Sequence, residues 1–170
     1  MKRRDFFKAA GVGGIAAGST LLAGCNKPAD CPEGAAAPKA ETINWKMVTT
    51  WPKNVPGLGV GAEKLATLIN QMSGGRLQVK VYGAKELVPA FEVFDTVSQG
   101  NAEMGHGAAY YWKGKNEAFQ FFSAVPFGFT AEEQNAWLFH GGGMELWKEA
   151  YAPFGVIPAA AGNTGVQMAG

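Results

Sequence analysis

Gly57-Leu58-Gly59-Val60-Gly61-Ala62 satisfies GxGxxA, the spacing that lets a dinucleotide-binding turn bring its backbone against a pyrophosphate. That chemistry needs the turn to follow a strand directly and to open a helix, so that the phosphate meets the helix N-terminus. Here residues 51–56 intervene and include Pro52 and Pro56. About twenty residues further on, where an acidic side chain would hold a ribose, stand Leu77, Gln78, Val79 and Lys80. The loop reads better as a rim leading into a helix whose N-terminal amide dipoles face an anion or water.

A second set of residues carries binding chemistry. Trp51, Tyr110, Tyr111 and Trp112 fall at the ends of expected strands, where open α/β sheets place their ligand sites. Each alone is as readily core or interface packing, but together these aromatics with polar tips fit a small-ligand pocket. Asn163 and Gln167, four apart near a final expected strand, add amide donors and acceptors on one strand face. Catalytic constellations are absent: the sequence has no GxSxG, HExxH, Walker loop or CxxC. His106 and His140 have no evident carboxylate or nucleophile nearby in sequence and read as packed or solvated histidines. Glu92 and Asp95, at i and i+3, read as a solvated pair.

These residues need a scaffold of alternating strands and helices. Residues 43–50 alternate as a strand, and Pro52 and Pro56 enforce the loop after it. Leu65, Leu68, Ile69 and Met72 mark one face of a helix over residues 60–72, stopped by Ser73-Gly74-Gly75. Leu77, Val79 and Val81 alternate with polar residues in a half-buried strand. Phe91, Phe94 and Val97 suit a helix ending at Gly100, and residues 102–111 form a candidate strand. Thr130 with Glu133 is a capping box ahead of a helix containing Trp137 and Leu138. Three glycines, 141–143, interrupt it before a second helix from Met144 to about Tyr151. Residues 156–170 are strand-like again. The alternation argues for an open α/β sheet with crossover helices.

The chain has 170 residues, 47% hydrophobic, which allows one domain of ordinary size and excludes a disordered chain. Of 15 basic and 14 acidic residues, the first 24 positions hold Lys2, Arg3, Arg4, Lys8 and Asp5. The remaining 11 basic and 13 acidic residues carry no basic footprint for nucleic acid. Residues 1–25 have the parts of a secretory signal: a basic start, 16 uncharged residues at 9–24, then small residues before Cys25. Arg3-Arg4-Asp5-Phe6-Phe7-Lys8 resembles the twin-arginine export motif. Leu22-Ala23-Gly24-Cys25 resembles a lipobox, in which Cys25 is acylated. The competing readings are a plain signal with an incidental Cys25, and a disulfide between Cys25 and Cys31, which lipidation through the sulfur would exclude. Residues 26–42 are rich in Pro, Ala, Lys and Glu without apolar period, a flexible tether of about 20–25 Å reach. Residues 43–170 hold the fold and end without a capping residue or charged tail, so the sequence reads as the first part of a longer protein.

Four segments, TWPKNVPGLGVGAEKLA, MSGGRLQVKVYGAKELVPAFEVFDTVSQGNAEMGH, AVPFGFTAEEQNAWLFHGGGMELWKEAYAPFGV and GNTGVQMAG, together resemble solute-binding proteins of the tripartite ATP-independent periplasmic (TRAP) transporters. The similarity covers residues 45–170 and is closest to the branch for 2-oxo and 2-hydroxy monocarboxylates. It implies a two-lobed α/β periplasmic-binding-protein fold, class II-like, of which this chain carries the first lobe and the start of the hinge strand. It implies a receptor rather than an enzyme, one that captures a small organic acid in the periplasm for membrane permease subunits. Tyr110, Tyr111, Trp51, Asn163 and Gln167 would face the substrate. Gln167, in the GVQM segment, would also contact a metal cation, sodium or calcium, that bridges the substrate carboxylate. The family's carboxylate-clamping arginine has no match here, because Arg76 is not in the corresponding position, so any site on these residues is half a site. A homodimer is compatible with the resemblance. The alternative from a different class is a twin-arginine-exported oxidoreductase using the glycine loop for a nucleotide cofactor.

The lipobox generates the first test. Radiolabelled fatty acid should enter the wild-type protein and not Cys25→Ser, and equal labelling of both would end the lipidation reading, leaving a plain export signal.

Overall fold

The computed structural model describes residues 41–164. The export signal with Cys25, the tether as far as residue 40, and the last six residues with Gln167 lie outside the described residues.

Three strands run parallel in the order β2-β1-β3: β1 (Ile43–Thr49), β2 (Leu77–Tyr82) and β3 (Met104–His106). Parallel neighbours cannot be joined by a tight hairpin, so each return needs a crossover. Helix α1 (Gly59–Met72) makes the first, and a 3₁₀ turn (Ala90–Glu92) running into α2 (Val93–Ser98) makes the second. Helices α3 (Ala131–His140) and α4 (Gly143–Tyr151) follow. Among the described residues no helix is long and apolar enough to cross a membrane.

β1 is the central strand, and its last three residues, Met47, Val48 and Thr49, are all buried. Met47 packs with Ala62, Ala66, Val79 and Val81 on the α1 side. Val48 joins the larger cluster of α2, α3, α4 and the aromatic turns on the other side. Helix α1 lies at the expected place but is rotated from the expected face. Ala62 and Ala66 are buried and Leu65 and Ile69 half-buried, whereas Leu68 and Met72 are 44% and 86% exposed. Small alanines let the helix approach the sheet closely, so the alanine stripe rather than the largest residues sets the inward side. At the far end Gly74 and Gly75 take the positive φ values of +61° and +81° that end the helix.

Two expected strands are corrected. Of residues 102–111 only Met104–His106 pair, and Ala109–Trp112 form a 3₁₀ turn closed by bonds such as Tyr111 N–H to the Ala108 carbonyl (3.1 Å). The stretch lacks β-branched residues, and Gly107 lies so close to Thr50 and Trp112 that a Cβ there would sit 2.6 Å from the Trp112 ring. Residues 156–164 form no strand either. Pro158 has no N–H to donate, and Gly162 has a φ of +137°. The expected strand's residues 165–170 lie outside the described residues. Phe91, expected on the second helix's inner face, sits in the 3₁₀ turn ahead of α2 and is 65% exposed, while Phe94 is buried.

The capping box is present as expected. The Glu133 carboxylate accepts from the Thr130 backbone N–H at 2.8 Å, and the Thr130 hydroxyl accepts from Glu133 N–H at 3.4 Å. The Thr130 backbone N–H and then the Thr130 hydroxyl, which donates to the same carboxylate at 2.9 Å, hold the Glu133 carboxyl below its usual range. Thr130→Ala should lower stability by about 1 kcal/mol, read as a shifted denaturant midpoint with an unchanged slope.

Candidate functional site

The C-terminal ends of all three strands meet at one edge of the sheet, the end at which parallel α/β sheets bind ligands. Two loops are strapped together there. The Trp51 carbonyl accepts both the Thr49 hydroxyl (2.6 Å) and the Ala84 N–H (3.0 Å), joining the chain after β1 to the chain after β2. A Lys53–Glu86 ion pair at 2.8 Å makes a second link, and Lys53 is the main cause of the lowered Glu86 carboxyl. A Cβ on Gly83 would meet the Lys53 amide at 2.9 Å, so the two loops touch through backbone.

The glycine motif belongs to this packing. Nine residues separate the end of β1 from the start of α1, so the turn does not follow the strand directly. A Cβ on Gly59 would lie 2.4 Å from the Pro52 carbonyl oxygen. The middle glycine therefore exists to seat the first turn of α1 on the loop, and the loop's own packing accounts for its smallness.

Next to this strap, Trp51 is 8% exposed and its indole meets the His106 imidazole edge-on, with ring centroids 5.0 Å apart. His106 ends β3, and its carbonyl accepts from Thr50 N–H at 3.1 Å. Its Nε2 lies 2.8 Å from the Ala161 carbonyl. A carbonyl only accepts, so Nε2 carries the proton and Nδ1 is the ring's acceptor. Among the described residues, Nδ1 is buried without a hydrogen-bond partner, as are the Thr50 hydroxyl and the Trp51 indole nitrogen. The Trp147 nitrogen shares that condition but belongs to the aromatic core. Buried polar atoms are nearly always paired, and an unpaired one costs about 1–3 kcal/mol, so three on adjoining residues make this edge a candidate site for a polar guest.

The expected site residues divide as follows. Trp51 lies at this edge. Tyr110 and Tyr111 follow β3 on the 3₁₀ turn, with ring centroids 4.7 Å apart, and Tyr111 meets exposed Phe91 at 5.4 Å. Burial, then its hydrogen bond with Tyr110, raises the Tyr111 hydroxyl above its ordinary range, so that phenol stays protonated near neutral pH. Trp112 is not a pocket residue: it is 7% exposed in the core, and its Nε1 donates to the Phe91 carbonyl at 2.8 Å. Asn163 is exposed, two residues past Ala161, and Gln167 lies outside the described residues. Asp95 pairs with Lys115 at 2.6 Å rather than with Glu92, and Arg76 is exposed at the opposite end of β2. His140 is exposed. Sequence reasoning missed Thr50 and the placement of His106. The one local signal was glycine on both sides of that histidine, at 105 and 107, which a packed helix (Val93 and Val97 lie 3.0 Å from a Cβ at 105) and a packed tryptophan both require.

Residues 47–170 match the family model for the bacterial extracellular solute-binding proteins, family 7 (DctP). The chain belongs to this family. A relative from Nostoc sp. (strain PCC 7120), a monocarboxylate 2-oxoacid-binding periplasmic protein, is 40% identical over 170 residues. Those are all of this chain and 45% of the relative, so the chain spans less than half of that protein's length. A TRAP periplasmic solute-binding protein from Pseudoalteromonas atlantica, solved with sodium and pyruvate, is 43% identical with a TM-score of 0.67, over 69% of this chain and 36% of that one. One from Bordetella bronchiseptica, a dimer with copurified calcium and picolinate, is 34% identical with a TM-score of 0.73, over 75% and 38%. The family and the periplasmic-binding-protein type of fold are those the sequence resemblance implied, and the nucleotide-cofactor alternative has no place in a family of solute-binding receptors.

The half-buried imidazole generates a pH test. Burial, opposed by the Ala161 bond, holds His106 below the ordinary histidine value of 6.5. The unfolded chain then binds a proton where the fold does not, so stability is full above 6.5 and falls as pH drops through that value towards the lower folded-state one. Denaturant midpoints should decline between about pH 7.5 and about pH 5, and His106→Phe should flatten the decline. The lowered carboxyls Glu86, Glu103 and Glu133 act below their ordinary 4.5 and leave this window clear.

Proposed function

We propose that this chain is the first-lobe part of a TRAP transporter receptor that captures a small 2-oxo or 2-hydroxy monocarboxylate in the periplasm and releases it to membrane permease subunits. The observation that carries the reading is the set of buried, unpartnered polar atoms of Thr50, Trp51 and His106 at the C-terminal sheet edge, in a family 7 chain 40% identical to a 2-oxoacid-binding protein. Such a receptor binds without catalysis. Trp51 supplies an indole donor, Thr50 a hydroxyl that donates or accepts, and His106 an acceptor. Tyr110 and Tyr111 offer aromatic wall and phenol. Trp51, Tyr110, Tyr111, Asn163 and Gln167 remain the proposed substrate contacts.

An acid of pyruvate's size has about six heavy atoms, and at most about 1.5 kcal/mol per atom limits its binding to about 9 kcal/mol. Reaching that limit needs a counter-charge on the carboxylate and near-complete burial. The described residues offer the neutral half of such a site. In this proposal a sodium or calcium ion joins the carboxylate; the relatives' structures hold sodium with pyruvate and calcium with picolinate. Hard cations take oxygen ligands. Among the described residues no group of three or more His, Cys, Asp or Glu comes together. The cation part of the proposal therefore rests on Gln167, whose amide oxygen coordinates without adding charge that would repel the acid. The periplasmic location, tethering to the membrane surface through lipidated Cys25, and a homodimer belong to the same proposal.

Calorimetry of pyruvate binding to the complete gene product tests it, and no binding of 2-oxo or 2-hydroxy acids would sink it. Gln167→Ala should weaken binding by about 1–3 kcal/mol, the penalty for an unsatisfied buried partner. The melting temperature of the unliganded protein should hardly move, because water replaces the amide in an open cleft. A lowered melting temperature with affinity intact would make Gln167 a structural residue instead.

A further inference from the structure

The proposed site uses only the acceptor nitrogen Nδ1 of His106 and leaves its donor nitrogen Nε2 without a part in binding. The residue nonetheless joins three separate parts of the chain. Its backbone carbonyl closes the bond to Thr50 that ends the β1–β3 pairing, its ring edge abuts Trp51, and its Nε2–H donates to Ala161. Ala161 lies in residues 156–164, which have no regular secondary structure and so make no ladder bonds to hold them. The segment's residues from 159 on are exposed. Two residues past the bonded carbonyl stands Asn163, and six past it Gln167.

We propose that His106 is a positioning residue, whose Nε2–H bond to the Ala161 carbonyl fixes residues 159–164, which carry Asn163 and lead on in sequence to Gln167, against the C-terminal edge of the sheet. The inference rests on the ligand-contact reading of those two residues for its effect on binding, but the latch itself is a property of the unliganded chain. The geometry suits the task. A neutral imidazole with one donor nitrogen commits that proton to Ala161, because the carbonyl cannot donate. The Trp51 edge contact and the backbone bond to Thr50 hold the ring's root, so the donor is presented from a rigid strand end rather than from a loop.

The test compares the wild-type complete gene product with His106→Phe, which keeps an aromatic ring beside Trp51 but has no donor, and His106→Gln, whose amide N–H can still reach a carbonyl. Backbone nitrogen-15 order parameters of the unliganded proteins are the first readout. In His106→Phe they should fall in residues 159–164 while those of β1 and β2 hold, and His106→Gln should restore most of the loss. Pyruvate is the binding probe: its affinity should fall roughly three- to tenfold in His106→Phe, the worth of one net hydrogen bond, and recover in the glutamine variant. Unchanged order parameters over residues 159–164 in His106→Phe overturn the latch, whether or not the protein binds pyruvate. If the phenylalanine variant fails to fold, nitrogen-15 NMR of the wild-type ring decides: a proton on Nε2 engaged with a carbonyl supports the latch, and a proton on Nδ1 overturns it. Wild type that binds no 2-oxo acid while the order-parameter result holds would remove the proposed function and leave the latch standing.

Discussion

Parallel pairing of β1 on both of its edges is the constraint from which the rest follows. A strand with a parallel neighbour on each side has its backbone groups committed to ladders, and its side chains must find cover on both faces. Met47 and Val48 are each 1% exposed and belong to different clusters, one under α1 and the other under the remaining helices. Parallel direction also sends every strand's C-terminus to one edge. The loops after β1, β2 and β3 therefore gather there without any further device, and the site is a consequence of topology before it is a consequence of side-chain chemistry.

What closes that edge is backbone contact made possible by glycine, together with a few short polar straps. Gly59, Gly83 and Gly107 each stand where a Cβ would come within 3 Å of a neighbouring group. The Trp51 carbonyl and the Lys53–Glu86 pair tie the first two loops. The ion pair is partly exposed and contributes little energy by itself; its value lies in fixing where Trp51 sits. Against this satisfied framework, the unpaired atoms of Thr50, Trp51 and His106 stand out. A fold that meets most of its hydrogen-bond demands locally and leaves three unmet on adjoining residues has the form of a site prepared for a polar ligand.

The layer opposite α1 is held mainly by aromatic rings. Phe94 meets Trp112, Phe119, Tyr151 and Phe154 at centroid distances of 5.1–5.6 Å, and Phe122 stacks on Trp147 at 5.2 Å. These rings brace α2, α4 and the turn that carries Tyr110 and Tyr111, so the aromatic wall of the site rests on an aromatic core. Trp112 shows how the two are joined: its ring lies in the core and against Gly107, while its indole N–H holds the turn that presents Phe91.

The sequence by itself determined the strand–helix alternation, the capping box at Thr130 and the glycine stops, and it pointed to the strand ends as the place of the proposed site. Each of these is written in local chemistry: a period of two or 3.6, a hydroxyl three residues before a carboxylate, a glycine free to take positive φ. The family was legible too, because long segments kept their residues in order. Tertiary structure alone decided which face of α1 turns inward, since alanines win that place by closeness of approach to the sheet and not by hydrophobic size. It decided that Trp112 is core while Trp51 lies at the edge, and that Phe119 is buried while Phe127 is fully exposed, although all are aromatics in similar local company. It decided that His106, 55 residues from Ala161, would hold that residue's carbonyl. The physical reason is common to these cases: burial and pairing depend on which distant segment the parallel sheet brings alongside, and neither periodicity nor composition records that neighbour.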